Sequence, residues 1–275
     1  MTEMQTGEFE KLRTIDRTGA RGLVFVGTEP GCGKTMVMTG LCAVLQDYDL
    51  PIRVIKPLGV GTHKKDTAEM TFMSIVGKTA VDYPLLTLRY PPIVLETEWK
   101  ELILTSTRSD IFTFIELPCT AATPIRFEQD RDVSAASGGS SSSSAGGRAY
   151  THRWMTITDL LKDLELPVVL VASHSIDVLE KIEFSISYLQ TRDIEVTSIV
   201  TVETNKIMGQ ALDERLFAHD FELMLSTRYG LPYLGKLAFS PVVSVPKVRQ
   251  GNLKKTIEQD LDLLAFRKLI ELPVN

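Results

Sequence analysis

Leu23-Val24-Phe25-Val26-Gly27-Thr28-Glu29-Pro30-Gly31-Cys32-Gly33-Lys34-Thr35 is the stretch on which the reading of this chain turns. The run from Leu23 to Val26 is wholly apolar and has the length of a buried strand. From Thr35 to about Gln46, the residues Val37, Leu41, Val44 and Leu45 recur at helical spacing, which predicts a helix with one covered face. A glycine-rich turn between strand and helix points backbone N–H groups and the positive end of the helix at one spot. That spot attracts phosphate. Lys34 is placed to reach terminal phosphate oxygens, and the Thr35 hydroxyl to ligate Mg²⁺. Gly27, Thr28, Gly31, Cys32, Gly33, Lys34, Thr35 and Met36 are therefore the expected nucleotide contacts. The common spacing needs glycine at position 28; here Gly27 comes first and five residues separate it from Gly33.

Strand and helix signals alternate through the rest of the chain. Ile52-Arg53-Val54-Ile55 predicts a short strand ending at Lys56-Pro57, and residues 96–107 a helix. The strand Ile111–Ile115 follows, ending at Glu116. Thr158 or Asp159 opens a short helix, followed by the apolar strand Pro167–Val171 and an amphipathic helix over 176–191. A strand over Val196–Val202, a helix near 211–229 and a strand near 232–237 come next. The tail, 253–271, is predicted as one surface helix with Ile257, Leu261, Leu264 and Leu269 inward. Short apolar strands alternating with helices indicate an α/β fold, a mostly parallel P-loop-type sheet covered by helices on both faces. Ligands of such sheets bind beyond the carboxyl ends of the strands. Gly27, Lys56, Glu116 and Ser173 all follow strand ends, so they are expected to share one edge. Residues 134–149 are almost entirely Ser, Gly and Ala and cannot bury apolar area, which predicts a flexible insertion. The expected organisation is an N-terminal tail, 1–20, and a single nucleotide-binding domain, 21–275.

Composition excludes several classes. The 275 residues can bury a substantial core, and 44% hydrophobic with 24% charged content is ordinary for a globular protein. A net charge of −5 argues against general nucleic-acid affinity. Cys32, Cys42 and Cys119 lack the spacing of a metal site or disulfide framework, and the four histidines show no ligand spacing, so zinc is not expected. The first ten residues are acidic rather than apolar, and no run approaches the roughly 20 apolar residues of a membrane span. A cytoplasmic protein without membrane association is the expectation.

The long loop opened by Gly27-Thr28 resembles that of the dethiobiotin synthetases. The related partitioning ATPases carry a second lysine early in the loop; Glu29 stands there instead. The resemblance spans roughly residues 21–245. Lys56-Pro57-Leu58-Gly59-Val60-Gly61 is similar to the family's Lys-Pro turn, whose lysine acts at the reacting centre. Asp66 in Lys64-Lys65-Asp66-Thr67-Ala68 and Glu116 after Ile115 match the family's two carboxylates beside Mg²⁺. The resemblance thus implies Lys34 and Lys56 as catalytic residues, Thr35, Asp66 and Glu116 as metal ligands, Glu116 also beside the nucleotide, and ATP and Mg²⁺ as cofactors. It further implies a diamine (7,8-diaminopelargonate) and CO₂ or bicarbonate as substrates, and a homodimer. The helix near 211–229 carries Leu212, Leu216, Phe217, Phe221, Leu223, Met224 and Leu225, more apolar surface than one stripe needs.

Departures from the family are concentrated around the substrate. Its glutamate opens a glycine-rich turn, whereas this chain has Leu117-Pro118-Cys119-Thr120-Ala121-Ala122 before a matching Thr123-Pro124. Pro30-Gly31 replaces Thr-Glu in the loop, Val60 replaces a substrate-binding serine, and the adenine-reading asparagine falls near Val202-Glu203, with Asn205 close by. Arg89-Tyr90-Pro91-Pro92 lies where the family has a substrate segment. Two classes follow: an ATP-dependent cyclo-ligase, or a P-loop ATPase that has lost the biosynthetic activity and acts as a nucleotide-dependent regulatory or assembly protein.

Overall fold

Strand β1 (Ala20–Gly27) occupies the middle of the main sheet and feeds helix α1 (Lys34–Leu45) through the glycine-rich loop. The computed structural model describes residues 20–48, 52–60, 63–77, 80–82, 86–88, 101, 103–104, 109–131, 150–204 and 214–270. Arg89-Tyr90-Pro91-Pro92, Asn205, most of 96–107, nearly all of the tail 1–20 and the stretch 134–149 lie outside these residues.

After α1 come β2 (Ile52–Ile55), β3 (Leu58–Val60), α2 (His63–Gly77), β4 (Ala80–Asp82) and β5 (Leu86–Leu88). Then follow β6 (Ser109–Thr120), β7 (Pro124–Arg131), β8 (Tyr150–Thr156), α3 (Ile157–Leu164) and β9 (Val168–Ser173). The C-terminal part holds α4 (Val178–Gln190), β10 (Val196–Val202), α5 (Glu214–Tyr229), β11 (Tyr233–Leu237), α6 (Leu253–Asp260) and α7 (Leu263–Leu269). Seven strands form one sheet in the order β11-β10-β9-β1-β6-β2-β4, and every adjacent pair is parallel. The α/β class read from the sequence is the one found.

Side-chain alternation divides the core between two faces. Leu23 and Phe25 of β1 pack with Val37, Met38 and Leu41 of α1, and with Ile257 and Phe266 from α6 and α7. Val24 and Val26 face the opposite layer, with Leu160 and Leu161 of α3, Ile182 and Ile186 of α4, and Phe221 and Leu225 of α5. Covering both faces explains why the strands read as continuous apolar runs. The chain leaves β1, passes over β6 to form β2, and later returns to β9 on the other side of β1. The order thus switches direction around β1, and the carboxyl edge there is where such sheets leave a crevice.

Three expectations need correction. The tail 253–271 is two helices. The backbone breaks at Leu261, which bridges Gly235, and at Asp262, whose N–H donates to Leu234 and whose carboxylate caps Ala265. The restart rotates Leu264 to a half-exposed position, while Ile257, Leu261 and Leu269 are buried. Strand β6 runs past Glu116 to Thr120. In α5, Phe221 and Leu225 are buried but Leu223 is exposed; Leu212 and the side chains of Leu216 and Phe217 lie outside the described residues.

The ribbon formed by β7 and β8 had no signal among the sequence patterns. These strands pair antiparallel from Pro124–Thr156 out to Arg131–Tyr150, and thus bracket the Ser/Gly stretch. The ribbon is already paired where that stretch begins, and closure entropy varies slowly with loop length. Deleting residues 134–149 is expected to leave the melting temperature within a few degrees of the parent, measured by calorimetry. A large fall would mean that the stretch packs.

Candidate functional site

The loop after β1 is tied down at its start. The Thr28 amide donates to Val171 of β9 at 3.0 Å, so that N–H is committed to the scaffold. Gly31 and Gly33 have φ of 78° and 100°, and Gly33 packs so closely on Val202 that a Cβ would collide with it. At Gly27 a Cβ would lie 2.8 Å from Lys34 Nζ and 2.7 Å from Cys32 Sγ, so glycine is needed where the lysine folds across the loop. Helix α1 begins with Gly33 as its cap, without a side-chain hydrogen bond, and its first ladder bond is Val37 N–H to Gly33 at 3.1 Å. The earlier amides of the first turn have no intrahelical acceptor, and they carry the positive end of the helix dipole.

Four side chains from two strands and one helix meet at this edge. Lys34, 7% exposed, donates to the Cys119 carbonyl at 3.3 Å and lies 4.0 Å from Cys32 Sγ. The Thr35 hydroxyl donates to Glu116 Oε1 at 3.1 Å. Lys56 Nζ, from the end of β2, stands 3.4 Å from the same oxygen and also donates to Glu69 Oε2 of α2. Glu116 is 3% exposed, and its Oε2 is buried without a hydrogen-bond partner among the described residues. An orphaned carboxylate oxygen beside a threonine hydroxyl is a hard-oxygen set of the kind Mg²⁺ takes. Asp66 lies on α2, its side chain outside the described residues. Among the described residues no three of His, Cys, Asp or Glu gather in a metal-holding cluster.

Where the family has glycines, β6 makes a bulge. Phe25 pairs with Glu116 and Gly27 with Thr120, so β1 advances two residues while β6 advances four. Leu117 is absorbed into the core, and Cys119 adopts φ of 53°, a left-handed conformation natural to glycine. This conformation accompanies the carbonyl contact with Lys34. Left-handed backbone costs a non-glycine residue about 1–2 kcal/mol, and a β-branched side chain suffers most. Cys119→Val is therefore expected to lower the melting temperature by about 2–6 °C, and Cys119→Gly to leave it nearly unchanged. Thermal scans of both variants check this.

The surrounding charges are paired. Lys181 of α4 donates to both carboxylate oxygens of Glu29, at 3.0 and 2.9 Å, and pairs with Asp177 at 3.0 Å. The hydrogen bond to Glu29, working against partial desolvation, holds the Lys181 ammonium above its usual range. The acidic residue of the loop is thus matched by a cation instead of opposing a bound phosphate. Beyond β10, desolvation pushes the Glu203 carboxyl up, but the hydrogen bonds from Lys236 at 2.9 Å and the Phe239 amide at 3.1 Å outweigh it and hold the group below its usual range. Ser173 Oγ is hydrogen-bonded to Thr204 Oγ1 at 3.0 Å, and the His174 amide donates to Val202. Glu69, the Cys119 carbonyl and Lys181 had no motif to announce them.

No family model matches the chain. Curated relatives do. An ATP-dependent dethiobiotin synthetase of Bacillus velezensis is 25% identical over 92% of this chain and 99% of its own length. Synthetases of the same name from Haloferax mediterranei and Clostridium novyi are 28% and 22% identical, over 69% and 91% of this chain and 74% and 97% of theirs. The chain is similar to the dethiobiotin synthetases, at the distance of a divergent member. Similar solved structures include an ADP-bound nucleotide-binding protein of Archaeoglobus fulgidus, with TM-score 0.49, 10% identity, and 96% and 99% of the two chains covered. A GDP-bound signal recognition particle receptor of Elizabethkingia anophelis has TM-score 0.47, 10% identity, and 97% and 71% covered. Among the described residues no helix is long and apolar enough to cross a membrane.

Proposed function

We propose that the protein is an ATP-dependent ligase of the dethiobiotin synthetase type, with residues 21–275 as one nucleotide-binding domain, acting in the cytoplasm as a homodimer. The observation that carries this reading is the meeting of Lys34, Thr35, Lys56 and Glu116 beside an uncapped helix N-terminus. ATP would lay its β and γ phosphates against the loop amides and Lys34. Thr35 and Glu116, with Asp66, would hold Mg²⁺, which neutralises charge on the transferring phosphoryl group when bound. CO₂ adds to one amine of 7,8-diaminopelargonate, giving a carbamate and releasing a proton. A carbamate oxygen attacks the γ-phosphorus and ADP leaves; the second amine then attacks the carbonyl carbon, closing the ureido ring and releasing phosphate and a proton. Lys56 would offset negative charge on both carbamate and phosphate.

The second reading, a regulatory or assembly ATPase, is favoured by one specific feature. Lys56 faces two carboxylates rather than one, which reduces the positive field available to a carbamate. Phosphate release, measured with and without diaminopelargonate plus bicarbonate, separates the two. The ligase requires release coupled to both additions and a ureido product by mass spectrometry; turnover indifferent to them supports the ATPase.

A further inference from the structure

We propose that Lys181 is a positioning residue for the phosphate-binding loop: it holds the carboxylate of Glu29 against α4 and offsets its charge, so that a loop carrying an acid still accepts the phosphates of a nucleotide. The inference rests on the reading of the loop after β1 as the nucleotide site. Glu29 is the single acidic residue between β1 and α1, and its backbone lies close to the cation of the site. A Cβ on Gly27 would stand 2.9 Å from the Glu29 carbonyl oxygen and 2.8 Å from Lys34 Nζ. Glu29 and the ammonium expected to reach phosphate are therefore neighbours. An unpaired carboxylate there would repel the same oxygens that Lys34 attracts. In the structure both carboxylate oxygens of Glu29 accept from Lys181 Nζ, at 3.0 and 2.9 Å.

The clamp is built from fixed parts. Val178, Ile182 and Ile186 of α4 are buried in the core, so the helix that carries Lys181 is held against the sheet. On the loop side, the Thr28 amide is tied to Val171 at 3.0 Å, and Pro30 disfavours helical backbone at Glu29. Lys181 also meets Asp177 at 3.0 Å, one turn earlier on α4. Asp177 has two further supports for its charge: the Ser175 hydroxyl, which donates to its Oδ1, and the positive end of its own helix, of which it is the cap residue. Among the described residues the Glu29 carboxylate has Lys181 alone. Removing Lys181 therefore leaves the uncompensated charge at the loop. The Lys181 and Glu29 side chains are 26% and 31% exposed, so salt screens that charge only in part.

The test is calorimetric titration of the full chain, at low and high salt, with Mg·ADP and with the Mg complex of β,γ-imido-ATP, which carries one more negative charge. Lys181→Met is expected to weaken binding of the ATP analogue about tenfold at low salt and of ADP by less, and the loss should shrink as salt is raised. Lys181→Arg keeps the charge and can bond both oxygens, so it should stay within about twofold of the parent. The double variant Lys181→Met/Glu29→Gln removes the stranded carboxylate as well, and its affinities should return close to the parent's. Glu29→Gln alone is expected to bind at least as tightly as the parent, which keeps the test open should Lys181→Met not fold. A double variant as weak as Lys181→Met would overturn the inference, because the lysine would then act without Glu29. So would weakened binding by Glu29→Gln, unaltered binding by Lys181→Met, or a loss equal for both nucleotides and indifferent to salt, which marks a structural role. Parent protein that binds neither nucleotide, or Lys34→Ala that binds both as tightly as the parent, overturns the reading of the loop itself.

Discussion

Lys34→Ala is expected to weaken ATP and ADP binding by about 100-fold or more while lowering the melting temperature of the nucleotide-free protein by several degrees. The lysine is buried at the loop and spends its ammonium on one carbonyl, that of Cys119 at 3.3 Å, with Cys32 Sγ at 4.0 Å. Among the described residues no ion pair is broken by its removal, and a single hydrogen bond to a charged group is worth about 1.5–3 kcal/mol. A bound nucleotide changes the balance. Two charge-assisted bonds to phosphate oxygens in a water-poor site contribute about 3–4 kcal/mol, and each 1.4 kcal/mol is tenfold in affinity. The remaining attraction comes from the first-turn amides of α1, which the substitution leaves in place. Calorimetric titration with ADP, alongside a thermal scan without it, reads both halves of the expectation. Unchanged affinity would mean that the ammonium stays with Cys119 and does not reach phosphate.

What the sequence made legible depended on how local each signal was. The loop could be read because strand, glycines, Lys34 and helix are contiguous, and their geometry follows from backbone chemistry alone. Lys56 and Glu116 came through a resemblance, since two strand ends far apart in sequence become neighbours only when β2 and β6 pair. Glu69 had no such signal: it is a glutamate on a helix, and only the packing of α2 beside α1 brings it to Lys56. Pro118 reads as the end of a strand, yet the bulge accommodates it and Cys119 takes the backbone conformation that a glycine would. The ribbon β7–β8 was hidden because its partner strands flank a long Ser/Gly stretch, which made the region look like loop throughout. In the tail, the helical period continued through Leu261 and Asp262, and the tertiary bonds to Gly235 and Leu234 overrode it.

Lys56→Met should produce the largest loss of stability of any substitution near the site, about 3–5 kcal/mol, because it removes the cation between two carboxylates. Methionine fills much of the same volume, so the loss isolates charge from packing. Among the described residues Glu116 would keep the Thr35 hydroxyl at 3.1 Å, and its Oε2 has no partner there. For a chain of this length, about 2–4 °C of melting temperature accompanies each kcal/mol, so a drop near 10 °C is expected. The double variant Lys56→Met/Glu69→Gln should recover part of that drop, since one of the two stranded charges is gone. The effects of neighbours in one network do not add, and the size of the recovery measures the Lys56–Glu69 coupling. Divalent metal should stabilise the Lys56→Met protein more than the parent, because it now meets two uncompensated carboxylates. Thermal scans of the parent and both variants, with and without Mg²⁺ and ADP, test all three expectations. Equal melting temperatures for Lys56→Met and the parent would show that solvent, and not Lys56, balances the charge of Glu116.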